Sequence, residues 1–156
     1  MAEVVMPLRL SLKPNERAII GGAVIKNGPK ASSFTIENQT ILLREKDILT
    51  EESADTPAKR IYLIVQLMYL CGGLDEAREY HERFFKLNRE FMAACPTETV
   101  LSLVGEIGYN LLDNNFYHAL KLCKQLVEYE RRILTGEQNI QESDIASPQQ
   151  EAAPKS

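Results

Sequence analysis

The first third of the chain alternates apolar and polar residues in short runs. In the segment Leu8 to Lys13 every second residue is a leucine, which is the period of a strand with one buried face. We therefore predict that Leu8, Leu10 and Leu12 form the core face and that Arg9, Ser11 and Lys13 form the opposite face. Pro14-Asn15 predicts a turn after this strand.

Further strand signals follow in residues 16–46. Segment 16–26 is rich in Ile and Val and is interrupted at Gly21-Gly22, where a bulge or bend is expected. Asn27-Gly28 is the strongest short hairpin signal in the chain, and two more short strands are predicted at 34–36 and 41–43. Together these runs predict four or five short strands in a small antiparallel sheet or roll.

After the acidic segment 47–55 the apolar spacing changes to that of helices. Thr56-Pro57 is an N-cap followed by proline at the first helical position, and Gly72-Gly73 supplies a stop. The helix between them is apolar on two sides, with Ile61, Ile64, Val65 and Met68 on one and Leu63, Leu67 and Leu70 on the other. A helix of this kind is buried on both sides, so we place it between the sheet and the other helices.

Three more helices are predicted, at about 74–94, after an N-cap at Thr97, and at 116–134 with Gly136 as its end. Their predicted core positions are Ala77, Tyr80, Phe84, Leu87 and Phe91; Val100, Val104, Ile107 and Leu111; and Phe116, Leu120, Cys123, Val127 and Leu134. The fold class is therefore α+β, a small antiparallel sheet followed by a bundle of three to four helices. We divide the chain into a basic β-rich region (6–47), an acidic linker (48–55), a helical region (56–136) and a disordered tail (137–156).

Composition narrows the possible functions. The 156 residues are 44% hydrophobic and 26% charged, so the chain can form a core without disulfides or a structural metal. The net charge of −4 argues against indiscriminate nucleic-acid binding. However, residues 1–46 hold seven basic and four acidic side chains, so the positive charge is concentrated in the predicted sheet.

Candidate catalytic and metal-binding groups are few. Cys71, Cys95 and Cys123 are far apart and are expected to be buried free thiols of a reducing compartment. His81 and His118 have no nucleophile or metal ligand at a suitable spacing. The longest apolar run, residues 61–71, is too short to cross a bilayer. We therefore expect a cytoplasmic protein that is not an enzyme and uses no cofactor and no metal.

The basic residues of the predicted sheet form one candidate binding surface. Six of them are candidate RNA contacts: Arg9, Lys13, Arg17, Lys26, Arg44 and Lys46. The alternative is that they are only the polar face of a half-buried sheet, which composition alone favours. Phe34 is the only aromatic residue among the strands, so a base-stacking platform is not indicated. We expect replacement of the arginines by alanine to leave folding nearly intact.

Five blocks of sequence resemble one protein family. They are MPLRLSLKP with Glu16, GAVIKNG, LREKDI, TPAKRIY with Met68-Tyr69-Leu70, and YHALKL with Glu128-Tyr129-Glu130. In this order and register, over about residues 6–134, they resemble the FlbT family of flagellin-synthesis regulators. Residues 1–5 precede the usual start of the family, so Met6 is expected to be the native initiator.

The resemblance implies post-transcriptional control of flagellin. Members of the family are associated with the untranslated leader of flagellin mRNA and repress or promote flagellin production. No catalytic residues are implied, and no residue-level RNA site is carried over. A rival hypothesis is a protein-binding adaptor or chaperone-like factor that acts through another flagellar regulator or flagellin itself.

Overall fold

A computed structural model describes residues 7–71 and 74–136 of the chain. The chain divides into two compact units, one up to Ile48 and one from Leu49 onward. The first contains the strands and the second contains the helices, which confirms the predicted α+β class. The predicted tail (137–156), the stop at Gly72-Gly73 and the proposed start at Met6 lie outside the described residues.

The N-terminal unit holds five short antiparallel strands: β1 (Leu8–Leu12), β2 (Arg17–Ile20), β3 (Ala23–Lys26), β4 (Ser32–Ile36) and β5 (Leu42–Arg44). They form two small sheets, β1-β4 and β3-β2-β5. The last two strands therefore do not form a hairpin with each other. Each pairs with an earlier strand, β4 with β1 and β5 with β2.

The two-residue hairpin turn of this unit lies at Gly21-Gly22, earlier in the chain than the predicted turn at Asn27-Gly28. Gly21 and Gly22 connect β2 to β3 with φ values of +58° and +88°. A two-residue hairpin loop of type I′ needs positive φ at both central positions, which glycine adopts without steric cost. The prediction of a hairpin turn at Asn27-Gly28 was wrong, because the Asn27 side chain instead anchors a longer connection between β3 and β4.

The core of the N-terminal unit combines residues of both sheets. Leu10, Leu12 and Ala18 are buried, and three partly buried residues pack against them, Ile20, Ile36 and Leu42. Leu8, predicted to belong to this core, is 49% exposed. It pairs with Ile36 at the end of the β1-β4 ladder. The alternation identified the correct face of β1 but not how far along the strand that face is covered.

The C-terminal unit contains four helices with the predicted limits: α1 (Pro57–Cys71), α2 (Leu74–Ala94), α3 (Glu98–Leu112) and α4 (Phe116–Leu134). Helix α4 packs against α1 and α3, and α1 also packs against α2. All four predicted core positions of α3 are buried, as are Phe84 and Phe91 of α2. Thr97 caps α3, because its side chain accepts a hydrogen bond from the Val100 amide at 3.2 Å.

Helix α1 is covered more completely on one side than on the other. Ile61, Ile64, Val65 and Met68 are buried, whereas Leu63, Leu67 and Leu70 are half-buried. Its expected position beside the sheet stays a prediction. The preceding segment is less solvated than expected, because Gln66 binds Leu49 through two hydrogen bonds, from the Leu49 amide at 2.8 Å and to its carbonyl at 2.9 Å.

The buried stripe of α4 contains a charged residue. Leu134, predicted to be a core residue, is 67% exposed in the last turn of the helix. One turn earlier, Glu130 is only 7% exposed. Its carboxylate accepts a hydrogen bond from the Ala58 amide at 2.9 Å and another from the Thr56 hydroxyl, both at the start of α1. The structure therefore adds an acidic cap for α1 that apolar periodicity could not identify.

Candidate nucleic-acid interface

The turn between β1 and β2 positions Lys13. Pro14 and Asn15 are its central residues, with Asn15 at φ +62°, and the Glu16 amide donates to the Lys13 carbonyl at 3.1 Å. The Lys13 amide in turn donates to the Glu16 carboxylate at 2.8 Å. This hydrogen bond holds the pKa of Glu16 below its ordinary value, with a further contribution from Arg44, and burial opposes the shift. The backbone of the turn is thereby tied to the start of β2.

Asn27 draws a second basic segment to the same place. Its Nδ2 group donates to the carbonyl oxygens of Lys13 at 2.8 Å, Lys30 at 3.0 Å and Leu12 at 3.2 Å. Its Oδ1 atom accepts a hydrogen bond from the Ser32 hydroxyl at 2.9 Å. Because one amide group binds both backbones, Lys13 and Lys30 are brought together although 17 positions separate them.

Arg17 and Lys26 are also neighbours. They are directly opposite each other in the β2-β3 pair, and both side chains are exposed. Opposed residues of an antiparallel pair project from the same face of the sheet. Val24, on the same face two residues from Lys26, is 71% exposed. Like charges placed opposite each other repel, so this arrangement favours an anionic ligand between them.

We call Lys13, Arg17, Lys26 and Lys30 the basic corner. All four side chains are exposed, and none forms a salt bridge with a residue in the described ranges. Three of them were candidates from the sequence alone. Lys30 was not among those candidates, because it lies in the connection between two predicted strands. Its carbonyl accepts hydrogen bonds from the Asn27 side chain at 3.0 Å and from the Ser32 hydroxyl at 3.3 Å.

Arg9 lies on the other sheet. Its Nε donates to the Ser33 hydroxyl of β4 at 3.3 Å, and Ser11 donates to the same hydroxyl at 3.4 Å. The exposed polar face of the β1-β4 pair thus consists of Arg9, Ser11, Ser33 and Thr35. The side chain of Arg9 is exposed and only weakly held, so it can also reach a ligand.

Arg44 has a structural contact that sequence reasoning missed. Its guanidinium donates to the Ser11 carbonyl of β1 at 2.7 Å and lies 3.5 Å from the Glu16 carboxylate. It therefore links the two sheets, and its side chain is only 34% exposed. Arg44 is opposite Ala18 and so lies on the face away from Arg17. The remaining candidate, Lys46, is exposed in the short 3₁₀ turn Glu45–Asp47.

The described cysteines and histidines form no metal site. Within residues 7–71 and 74–136, no group of three or more His, Cys, Asp or Glu side chains is arranged to hold a metal ion. Cys123 is buried, and burial raises the pKa of its thiol, whereas Cys71 and Cys95 are only half-buried, contrary to expectation. No helix in the described part of the chain is long and apolar enough to span a membrane.

Comparison with known proteins supports one family. The family model described as flagellar protein FlbT matches residues 8–134. A probable flagellum biosynthesis repressor protein of Rhodopseudomonas palustris strain TIE-1 is 41% identical over 132 residues, 83% of this chain and 99% of that protein. The flagellum biosynthesis repressor protein FlbT of Caulobacter vibrioides strain CB 15 is 39% identical over 127 residues, 80% of this chain and 87% of that protein.

A third relative, a probable flagellum biosynthesis repressor of Bradyrhizobium diazoefficiens, is 38% identical over 129 residues, 82% of this chain and 85% of that protein. No solved structure matches the chain. The matched region, residues 8–134, runs from the first residue of β1 to the last residue of α4, so it covers both units. The chain belongs to the FlbT family of flagellar proteins.

Proposed function

We propose that this chain regulates flagellin synthesis after transcription by binding the leader of flagellin mRNA through the basic corner. The relatives named above are described as flagellum biosynthesis repressors, which supports a regulatory role in flagellar synthesis for this member of the family. Such a regulator acts by binding and needs no catalytic group. It works in the cytoplasm, where the mRNA is translated.

The observation that carries the RNA proposal is the pairing of Arg17 with Lys26. Two exposed cations directly opposite each other destabilise a strand pair unless an anion neutralises them. RNA supplies a phosphate at every nucleotide, and arginine can both bind a phosphate through two N–H groups and stack on an unpaired base. Lys13 and Lys30 are exposed nearby, since Asn27, the neighbour of Lys26 in the chain, binds the carbonyl oxygens of both. The basic corner is therefore suited to a short stretch of single-stranded backbone.

Arg44 has a different place in this proposal than Arg17. Its hydrogen bond to the Ser11 carbonyl links the two sheets, so an Arg44→Ala change is expected to weaken the fold of the N-terminal unit. If that variant lost RNA binding, a missing RNA contact and a folding defect would explain the result equally well. The pair Arg17→Ala, Lys26→Ala removes only exposed side chains and is the appropriate probe.

The test is titration of a fluorescent flagellin leader RNA with the full chain at several salt concentrations. A scrambled RNA of equal length serves as the reference ligand. The double variant should bind more weakly and should reduce the slope of log K against log salt by about 1.4, since each lost phosphate contact on a single strand contributes about 0.7. The matched control is Arg83→Ala, Lys86→Ala, which removes one arginine and one lysine from the exposed surface of α2.

Three outcomes would overturn the proposal. The wild-type chain could bind the leader no better than the scrambled RNA, the Arg17 and Lys26 variant could retain its slope, or the control pair could lose as much affinity as the probe pair. The first outcome would favour the rival hypothesis, in which the chain binds a protein partner, either another flagellar regulator or flagellin.

A further inference from the structure

An apolar groove runs between helices α2 and α3, distinct from the basic corner. Four of its lining residues are large apolar side chains that remain exposed: Phe85 at 39%, Leu101 at 46%, Tyr109 at 67% and Leu112 at 69%. Monomeric proteins rarely leave such side chains together on one face unless a partner covers them. The feature indicates a protein interface on the helical unit.

Two glycines of α3 line the same groove. Gly105 and Gly108 lie in the middle of the helix, where glycine is less favourable than alanine. A Cβ atom at Gly108 would meet only ordinary contacts with Phe85 and Phe84 at 3.9 and 4.0 Å, and one at Gly105 would meet nothing within 4 Å. Packing within the chain therefore does not require either glycine. Close packing of another helix against α3 does explain both glycines, because two helix backbones approach closely only where no side chain separates them.

We propose that the groove is occupied by helix α3 of a second copy of this chain. The same face carries both the groove and the protruding side chains of Tyr109 and Leu112, so it can be complementary to itself about a two-fold axis. The charges agree with this occupant. Arg89 is the charged residue that lines the groove, whereas the charged residues of α3 are both acidic, Glu98 and Glu106.

Tyr109 is the side chain that this arrangement places in the groove of the partner copy. It is 67% exposed in the single chain. A tyrosine that enters an apolar groove buries a large ring there. The partner copy's Tyr109 would thus cover the apolar lining of the groove.

The size of the face predicts a dimer of modest affinity. Helix α3 has 15 residues, which is about 22 Å, and two adjacent helices present a face about 20 Å wide. The pair of faces then covers about 900 Å² measured flat, which is below the roughly 1,000 Å² expected of a stable interface and in the range of weak, transient contacts. We therefore expect an equilibrium between monomer and dimer that depends on concentration, with no requirement for the partner in order to fold.

Sedimentation velocity of the full chain over a range of concentrations tests the proposal. The wild-type chain should move from its own mass toward twice that mass as concentration rises. Leu112→Glu and Gly105→Leu should each keep the chain monomeric throughout. The control is Leu134→Glu on α4, because Leu134 is exposed to nearly the same degree, 67% against 69%, and is not part of the groove.

Circular dichroism melting of each variant separates loss of assembly from loss of fold. Gly105→Leu should melt no lower than wild type, because the space around a Cβ at that position is open. A wild-type chain that is monomeric at every concentration would overturn the proposal and leave the groove to a helix of another sequence. A dimer that survives Leu112→Glu, or that Leu134→Glu disrupts equally, would show that copies associate through a different surface.

Discussion

The Glu130→Ala substitution tests the acidic cap of helix α1. The Glu130 carboxylate accepts hydrogen bonds from the Ala58 amide at 2.9 Å and from the Thr56 hydroxyl. Amides in the first turn of a helix have no partner within that helix, and the positive end of the helix dipole favours an anion there. Ala58 is fully buried, so water does not readily replace the lost acceptor.

The expected cost follows from these contacts. A hydrogen bond to a charged acceptor contributes about 1.5–3 kcal/mol, and an anion at a helix N-terminus adds about 0.3–1 kcal/mol. Because some local rearrangement accompanies the change, we expect Glu130→Ala to lower the free energy of unfolding by roughly 3 kcal/mol. Glu130→Gln keeps the shape and one acceptor oxygen, so its cost should be about half as large.

Urea denaturation followed by circular dichroism measures both values. The matched control is Glu128→Ala, two residues earlier on the same helix. Glu128 is about half exposed and forms ion pairs with Arg131 at 2.7 Å and Arg132 at 3.3 Å, contacts that hold its pKa at about 2. Exposed pairs of this kind contribute at most about 1 kcal/mol. The capping role would be refuted if the free energy of unfolding of Glu130→Ala lies within about 0.5 kcal/mol of the wild-type value, which is the usual effect of a surface substitution. It would also be refuted if Glu128→Ala lowers the free energy of unfolding as much as Glu130→Ala does.

Three further predictions concern single residues. Because the folded-state pKa of Glu16 is lowered, its contribution to stability should be present above pH 4.5 and lost as pH falls through the folded pKa. The pH-dependent loss of NMR signals from residues 8–44 measures this change in stability. In the Glu16→Gln variant the signals of these residues should depend less on pH. Gly22→Ala should destabilise by about 1–2 kcal/mol because φ is +88° there, while Gly28→Ala, whose φ is not positive, should melt like wild type. Met68→Asp should abolish folding, since the site is fully buried, and a soluble variant with a cooperative melt would contradict this.

The N-terminal unit shows where local pattern stops being informative. The alternation in β1 correctly separated Leu10 and Leu12 from Arg9 and Ser11, because side chains of a strand point to opposite faces. Pairing between strands is not encoded in that alternation. The division into two sheets depends on which earlier strand β4 and β5 return to, and the hairpin turn fell at Gly21-Gly22, not at Asn27-Gly28.

The candidate binding surface, too, could be predicted only in part from the sequence. The sequence alone indicated that the cations are concentrated in the strands, since charge can be counted along the chain. Which of them share a face required the register, which opposes Arg17 to Lys26 and turns Arg44 toward the other sheet. Lys30 is held beside Lys13 by hydrogen bonds to its carbonyl from the side chains of Asn27 and Ser32, contacts that the sequence pattern does not show.

The helices were the most predictable part of the molecule. Their limits follow from caps, glycines and the 3.6-residue period, which are properties of neighbouring residues, and all four helices agree with those signals in the described part of the chain. Tertiary structure alone decided the role of Glu130, a buried carboxylate whose partners lie 72 and 74 positions away. Local periodicity determines which elements form, because it depends on steric and solvent preferences within a few residues. Contacts between distant polar groups depend on how those elements pack, and the packing also decided which apolar residues, those along the α2–α3 groove, were left exposed.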